Sequence, residues 1–128
     1  MDAQDYLAGS RIKIWKETFS LLKANSVPKK FFAVIRDEFE LTVIVDEDEI
    51  EPSTIIAEEK NWRLLTFDTV LPFELVGFLA VVAQALARED ISIVSISSYS
   101  TDHILVKEKN LKKAISTLET LGCIIIKN

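Results

Sequence analysis

The second half of the sequence predicts an α+β fold in which two helices flank a hairpin. Two apolar runs rich in Ile and Val, residues 91–96 and 103–106, enclose the polar segment 97–102, which is typical of a β-hairpin. A segment of helical length lies on each side of the hairpin, and the apolar runs 62–67 and 123–126 begin and end this half. The order β-α-β-β-α-β is that of ferredoxin-like folds, with antiparallel strands and helices on one face of the sheet.

The two helices are predicted from the spacing of their apolar residues. The first is expected within Phe73–Asp90 and the second within Glu108–Leu121. Pro72 suits a first helical turn, because its missing N–H would have no partner there, and Gly122 suits a left-handed C-cap. The stripes expected to face the core are Leu75, Leu79, Val82 and Leu86 in the first helix, and Leu111, Ala114, Ile115, Leu118 and Leu121 in the second.

The first half has a similar order of elements with weaker signals. We predict strands at Arg11–Thr18, Phe31–Ile35 and Phe39–Val45, and short helices at Phe19–Ala24 and Pro52–Glu59. This order indicates that the first half is a degenerate repeat of the second, although residue identity between the halves is slight.

The predicted organisation is a flexible leader at residues 1–10, a degenerate unit at 11–60 and a well-formed unit at 61–128. A chain of 128 residues suffices for one domain or two very small ones. Residues 58–61 contain neither Gly nor Pro, so we expect a short, tight connection between the units. Units of this size are expected to bury apolar surface against each other.

Composition excludes several classes of protein. The formal charge of −5 argues against broad binding to nucleic acid or to anionic membranes. The single cysteine, Cys123, permits no intramolecular disulfide. Residues 1–10 lack the apolar core of a signal peptide, and residues 70–87 are too polar and too short for a membrane span. We therefore expect a cytoplasmic protein.

The sequence indicates no catalytic residues, no metal site and no cofactor. His103 is the only histidine, and with one distant cysteine it does not make a zinc site, which needs three or four ligands. The acidic run Asp46–Glu51 lacks the glycine and the regular spacing of a calcium loop, so we interpret it as a solvated loop. A Gly-rich phosphate loop and a G-x-S-x-G motif are both absent.

Three stretches resemble the ACT domain family. They are WRLL at 62–65, FELVGFLA at 73–80 and ISIVSISSYSTDHILVKE at 91–108. The sequence is most similar to the aspartate-kinase-like subgroup of stand-alone ACT proteins, and it also resembles the ACT units of arginine sensors. The resemblance implies two ACT-like units that bind a free amino acid and regulate another protein without catalysis of their own. It also implies that the ligand lies between units, near the start of the first helix and the second strand.

The chemistry of a free amino acid suggests the residues of such a site. Its carboxylate favours the N–H groups of a helix N-terminus, here near Gly77, and its ammonium favours an acid, Asp102 or Glu74. Apolar side chains would screen the pocket, and the excess of acid favours a basic or neutral ligand. The predicted ligand-binding residues are Phe73, Glu74, Val76, Gly77, Ser97, Ser98, Tyr99 and Asp102.

Simpler roles for these residues stay open. Gly77 could serve helix–sheet packing, Glu74 could be a solvated acid of the first turn, and Asp102 could cap the hairpin turn. The alternative function is a structural ACT module without a ligand, which mediates oligomerisation or partner binding. Because sheet edges are paired or protected in natural proteins, we expect pairing between the units and a homodimer or a regulated protein partner.

Two other activities of ferredoxin-like folds are rejected. An acylphosphatase needs an arginine-bearing phosphate loop after the first strand, and residues 68–71 are Asp, Thr, Val and Leu. An RNA-binding sheet needs exposed aromatic residues on its central strands and a basic surface. The central strands here are rich in Ile, Val and Ser, and the chain is acidic.

Overall fold

A computed structural model describes residues 2–127 of the chain. Within these residues, three α-helices and seven strands form an α+β structure, which confirms the predicted class. The helices are α1 (Ala3–Leu7), α2 (Phe78–Arg88) and α3 (Leu111–Thr120); the strands are β1 (Arg11–Ala24), β2 (Ala33–Arg36), β3 (Leu41–Asp46), β4 (Ile55–Phe67), β5 (Ile93–Ser97), β6 (Asp102–Lys107) and β7 (Ile124–Lys127).

The described chain divides into two compact units. The large unit contains residues 2–16 and 63–127, and the small unit contains residues 17–62. The long strands β1 and β4 are neighbours in the sheet, and each contributes residues to both units. The compact units therefore differ from the segments that the sequence suggested.

The start of β1 explains this difference. Residues Arg11–Ile14 pair in parallel with Ile124–Lys127 of β7. Ile12 and Ile14 lie in the core of the large unit. The last strand thus finds its partner far upstream of the predicted boundary at residue 61. Strands β5 and β6 pair antiparallel as predicted, and the parallel pair of β1 and β7 belongs to the same sheet.

Helices α2 and α3 pack on one face of the sheet in the large unit, as predicted. Val82 of α2 and Leu118 of α3 are fully buried in one cluster with alternate residues of β4 and β6, among them Phe67 and Ile104. The core stripes read from the sequence therefore face the sheet. Gly122 follows α3 with a φ of 96°, the left-handed conformation expected of a C-cap glycine.

Helix α2 begins later than the sequence suggested. Its N-cap is Gly77, whose φ of 84° is left-handed, so the chain cannot continue as an α-helix upstream of this residue. Pro72 lies instead in the preceding loop, where its carbonyl accepts a hydrogen bond from the Leu75 N–H at 3.0 Å. The expectation that Pro72 occupies the first helical turn is therefore wrong.

The predicted leader contains helix α1. The Asp2 carboxylate accepts from the Asp5 N–H at 3.0 Å, and the Asp5 carboxylate accepts from the Asp2 N–H at 2.9 Å. This reciprocal capping satisfies N–H groups that have no partner within the helix. Ala3 and Leu7, four residues apart, are buried in the core of the large unit.

The small unit is built from strands. Its described residues, 17–62, contain no α-helix. Residues Phe19–Ala24, where a short helix was predicted, continue β1 and pair antiparallel with β3. At the second predicted helix only Pro52–Thr54 form a 3-10 turn, and β4 starts at Ile55. Pairing with a neighbouring strand outweighs the weak local helix preference.

The β2–β3 hairpin of the small unit is confirmed, and its strands pair antiparallel. The unit has its own core cluster, formed by Leu22, Ala24, Leu41, Val43 and Val45. Because its described residues have no α-helix, the unit does not repeat the full β-α-β-β-α-β order. The two-unit ferredoxin-like arrangement is therefore not confirmed.

Candidate functional site

A groove of about 410 Å³ lies beside the start of α2 in the large unit. We call it the hairpin groove, because one of its walls is the connection between β5 and β6. Its lining residues are Leu71, Pro72, Phe73, Leu75, Gly77, Phe78, Leu79, Ala80, Ser97, Ser98, Tyr99, Ser100, Thr101 and Asp102. All of them belong to the large unit.

The start of α2 presents backbone donors to the hairpin groove. The first intrahelical hydrogen bond runs from the Val81 N–H to the Gly77 carbonyl at 3.0 Å. The N–H groups before Val81 therefore have no partner within the helix, and no side chain caps them. Residues 78–80 line the groove, so this end of the helix can donate hydrogen bonds to an anion there.

The connection between β5 and β6 forms another wall of the groove. Hydrogen bonds hold this connection in place. The Ser98 N–H donates to the Thr101 carbonyl at 2.8 Å, and the Leu71 N–H donates to the Ser100 carbonyl at 2.7 Å. The hydroxyl of Thr101 donates to the Phe67 carbonyl at the end of β4. The Leu71–Ser100 bond thus attaches the connection to the loop that precedes α2, and the Thr101–Phe67 bond attaches it to β4.

One carboxylate and two aromatic rings complete the site. The Ser97 hydroxyl donates to the Asp102 carboxylate at 2.5 Å, which orients the only charged side chain among the lining residues. The rings of Phe73 and Tyr99 meet edge to face with centroids 4.9 Å apart. Both residues line the groove and are largely exposed, at 73% and 83%.

Six of the eight predicted ligand-binding residues line the hairpin groove, namely Phe73, Gly77, Ser97, Ser98, Tyr99 and Asp102. The other two do not. Glu74 lines a smaller depression of about 220 Å³ with Tyr6, Pro72 and Leu75. Val76 is 85% exposed and does not line the groove. Both residues precede the left-handed Gly77 and lie in a loop, whereas the prediction placed them in the first helical turns.

A buried histidine next to the groove was missed as part of the site. His103 is 6% exposed, and its Nε2 lies 2.6 Å from the Ser98 hydroxyl. Its Nδ1 lies 2.8 Å from the Thr66 hydroxyl, which accepts a hydrogen bond from the Trp15 indole N–H at 2.8 Å. Burial lowers the pKa of His103, and the nearby Asp102 carboxylate opposes this effect. In the sequence, a histidine within an apolar strand indicates only a strand position.

Other chemistry has little support in residues 2–127. No group of three or more His, Cys, Asp or Glu side chains among them could hold a metal ion. In the acidic run, the Asp46 carboxylate accepts from the Asp48 N–H and the Glu47 carboxylate accepts from the Asn61 N–H, both at 2.9 Å. Over the same residues, no helix is long and apolar enough to cross a membrane.

The sequence model of the ACT domain family matches residues 57–120, a stretch that contains every residue lining the hairpin groove. The chain belongs to the ACT domain family. This ACT chain is similar to the human protein named cytosolic arginine sensor for mTORC1 subunit 1. The two are 30% identical over 125 aligned residues, which cover 88% of this chain and 38% of that protein. The ACT chain thus spans well under half the length of the curated relatives it matches.

Solved structures share the fold of this ACT chain. A protein from Agrobacterium tumefaciens superposes with a TM-score of 0.81 at 20% identity, and 94% of each chain is covered. The ligand-free regulatory subunit of aspartate kinase from Thermus thermophilus superposes with a TM-score of 0.67 at 10% identity, over 90% of this chain and 97% of that one. At these identities the likeness establishes the fold alone.

Proposed function

We propose that this ACT chain is a regulatory module that binds a free amino acid in the hairpin groove and has no catalytic activity of its own. The observation that carries the proposal is the groove of about 410 Å³, whose lining includes both the start of α2, where no side chain caps the N–H groups, and the Asp102 carboxylate. Its two kinds of polar group complement the two charges that every free amino acid carries. The similarity to a protein named as an arginine sensor supports the same conclusion.

The amino acid carboxylate binds at the start of α2. The N–H groups that follow Gly77 donate to it, and the positive end of the helix dipole stabilises its charge. The Asp102 carboxylate, oriented by Ser97, accepts from the ammonium group or from a cationic side chain. Hydrogen bonds to charged groups contribute roughly 1.5–3 kcal/mol each, so two such contacts are enough to select for both ends of the ligand.

The proposed site consists of the six predicted residues that line the groove. Phe73 and Tyr99 supply apolar surface, and Ser97 and Ser98 supply hydroxyl groups. Glu74 and Val76 remain predictions that this geometry does not use. The groove has one acidic and no basic lining residue, which favours a basic or neutral ligand over aspartate or glutamate. L-arginine is the first probe to test, since a relative is named for it.

Regulation follows if the ligand binds two arrangements of the protein with different affinity. We propose that ligand binding changes the affinity of this chain for a second copy of itself or for a regulated protein partner. Among the strands of residues 2–127, β5 ends the strand order and pairs with β6 alone, so its other edge can pair with a second chain. Light scattering at micromolar concentration, with and without L-arginine, tests the homodimer. We also propose a cytoplasmic location, as in the name of the arginine-sensor relative.

We further propose that the chain is a tandem of two ACT-like sequence units, residues 11–60 and 61–128, of which the first has lost its helices. The support is their common order of a strand, a hairpin and a final strand, in which the single strand β4 is shared: residues 55–60 end the first unit and residues 61–67 begin the second, which adds α2 and α3. We expect residues 61–128 expressed alone to be unstable, because they lack the β1 stretch that pairs with β7. A monomeric fragment as stable as the whole chain would disprove this.

Thermal-shift measurements with each of the twenty amino acids test the proposed function. A ligand that binds only the folded protein must raise its melting temperature. We expect a rise with L-arginine or another basic or neutral amino acid, and none with L-aspartate or L-glutamate. If no amino acid raises the melting temperature at millimolar concentration, the alternative function, a structural ACT module without a ligand, is the better description.

A further inference from the structure

The hydrogen bonds around His103 have a definite direction. An indole N–H can only donate, so the Thr66 hydroxyl oxygen accepts from Trp15 at 2.8 Å. Among residues 2–127, His103 Nδ1 is the only acceptor the structure offers to the Thr66 hydroxyl hydrogen. The Thr66 hydroxyl therefore accepts from Trp15 through its oxygen and donates its hydrogen to Nδ1. Because Nδ1 accepts this bond, it carries no proton.

The remaining ring nitrogen then donates toward the hairpin groove. In a neutral imidazole one nitrogen carries the proton and the other accepts, and burial favours the neutral ring of His103. With Nδ1 as acceptor, the proton is on Nε2, which lies 2.6 Å from the Ser98 hydroxyl oxygen. The Ser98 hydroxyl oxygen accepts this bond, so the hydroxyl hydrogen can be donated to another group.

Ser98 is exposed and lines the groove. Within the described residues, the structure gives its hydroxyl hydrogen no acceptor, since the bond to His103 uses the oxygen. We propose that His103 is a positioning residue, held by Thr66 in the tautomer that makes the Ser98 hydroxyl a hydrogen-bond donor in the groove. The ligand group that meets Ser98 is then an acceptor, such as a carboxylate oxygen. This last step rests on the proposed amino acid site.

The opposite tautomer would have the opposite effect. If Nδ1 carried the proton, the Ser98 hydroxyl would donate to Nε2 and would offer the ligand only an oxygen lone pair. An ammonium group would then be favoured at Ser98. A partly buried chain of hydrogen bonds that starts at Trp15 thus decides which end of an amino acid this side of the groove accepts.

Nitrogen-15 NMR of the whole, ligand-free protein tests the tautomer directly, and the single histidine makes the assignment unambiguous. At pH 7.5 we expect the pattern of a neutral ring protonated at Nε2. We expect Thr66→Val to release the ring toward the Nδ1-protonated form, and Thr66→Ser, which keeps the hydroxyl, to preserve the wild-type pattern. A wild-type ring protonated at Nδ1, or charged at this pH, overturns the inference whether or not any amino acid binds.

Calorimetry with L-arginine tests the effect on the groove. We expect Ser98→Ala and Thr66→Val each to weaken binding about fivefold to tenfold, and Thr66→Ser to bind as wild type does. A loss with Ser98→Ala but none with Thr66→Val would disprove the positioning role while leaving the proposed site intact. If wild type does not bind L-arginine, the ring measurement alone decides the inference, and the proposed function is judged by the amino acid screen.

Discussion

The two hairpins of this ACT chain use an aspartate in different ways. In the β2–β3 connection, Asp37 accepts from the N–H groups of Phe39 and Glu40 at 2.8 and 2.9 Å, so its carboxylate stabilises its own turn. In the β5–β6 hairpin, Asp102 accepts from the Ser97 side chain at 2.5 Å and lines the hairpin groove. The Asp37 carboxylate therefore bonds the backbone of its own turn, whereas the Asp102 carboxylate bonds a side chain and lines a groove.

The difference comes from the helix beside the second hairpin. The described residues of the small unit contain no α-helix, so its hairpin has no helix N-terminus to face. In the large unit, the start of α2 and residues 97–102 line the same groove. Similar hairpins therefore acquire different roles from the elements that surround them, and the proposed function belongs to the large unit.

The largest expected effect compares the two cores. Phe67 is fully buried and its ring meets Phe78 edge to face, with centroids 5.2 Å apart. We expect Phe67→Ala to lower the free energy of unfolding by about 3–5 kcal/mol, because it leaves a cavity. Val43→Ala in the small core should cost about 2 kcal/mol, since only two methylene equivalents are removed. Urea denaturation measures both.

The control for the core comparison is Phe39→Ala in the small unit. Phe39 is 84% exposed, so its removal should change the free energy of unfolding by no more than about 0.5 kcal/mol. A larger loss in the free energy of unfolding for Val43→Ala than for Phe67→Ala would contradict this prediction.

A second effect arises from the buried thiol of the large unit. Burial raises the pKa of Cys123 from an ordinary value of 9.0 to about 11, so folding favours the neutral thiol. The contribution of this thiol to the free energy of unfolding is fully present below pH 9 and is lost as pH rises through 11, with a total loss of about 2–3 kcal/mol. Denaturation between pH 8 and 11 should show this loss in wild type and a smaller one in Cys123→Ala. If the free energy of unfolding fell with pH equally in wild type and in Cys123→Ala, the prediction would be contradicted.

A smaller effect is expected at the start of α2. Gly77 has a φ of 84°, and no atom lies within 4 Å of where a Cβ would be. Gly77→Ala should therefore lower the free energy of unfolding by about 1–2 kcal/mol through backbone strain alone. Gly77→Asn should cost less, because asparagine tolerates this conformation better. If alanine is neutral at this position, the left-handed N-cap of α2 is not required.

Much of the large unit could be predicted from local sequence. The apolar stripes of α2 and α3 and the β5–β6 hairpin depend on periodicity within one element, and these patterns appear in the structure. The start of α2 could not be placed, because Pro72 and Gly77 both suit a helix N-terminus and only the backbone conformation distinguishes them. The predicted residues on the hairpin side accordingly line the groove, whereas Glu74 and Val76 lie outside it.

The remaining errors concern long-range pairing. Residues Phe19–Ala24 have weak helical periodicity, but their partners in β3 lie about twenty residues downstream, beyond any local pattern. The pairing of Arg11–Ile14 with β7 spans nearly the whole chain. The role of His103 depends on Thr66 and Trp15, which lie on two other strands. Such contacts are fixed by topology and cannot be read from one sequence.

The most direct test of the account is calorimetry with matched aspartate variants of the two hairpins. The titrant is L-arginine, or the amino acid that gives the largest thermal shift. We predict that Asp102→Ala weakens binding at least about tenfold, roughly 1.4 kcal/mol, and that Asp37→Ala binds as wild type does. Binding that survives Asp102→Ala, or that falls equally in both variants, would contradict the assignment of the hairpin groove as the amino acid site.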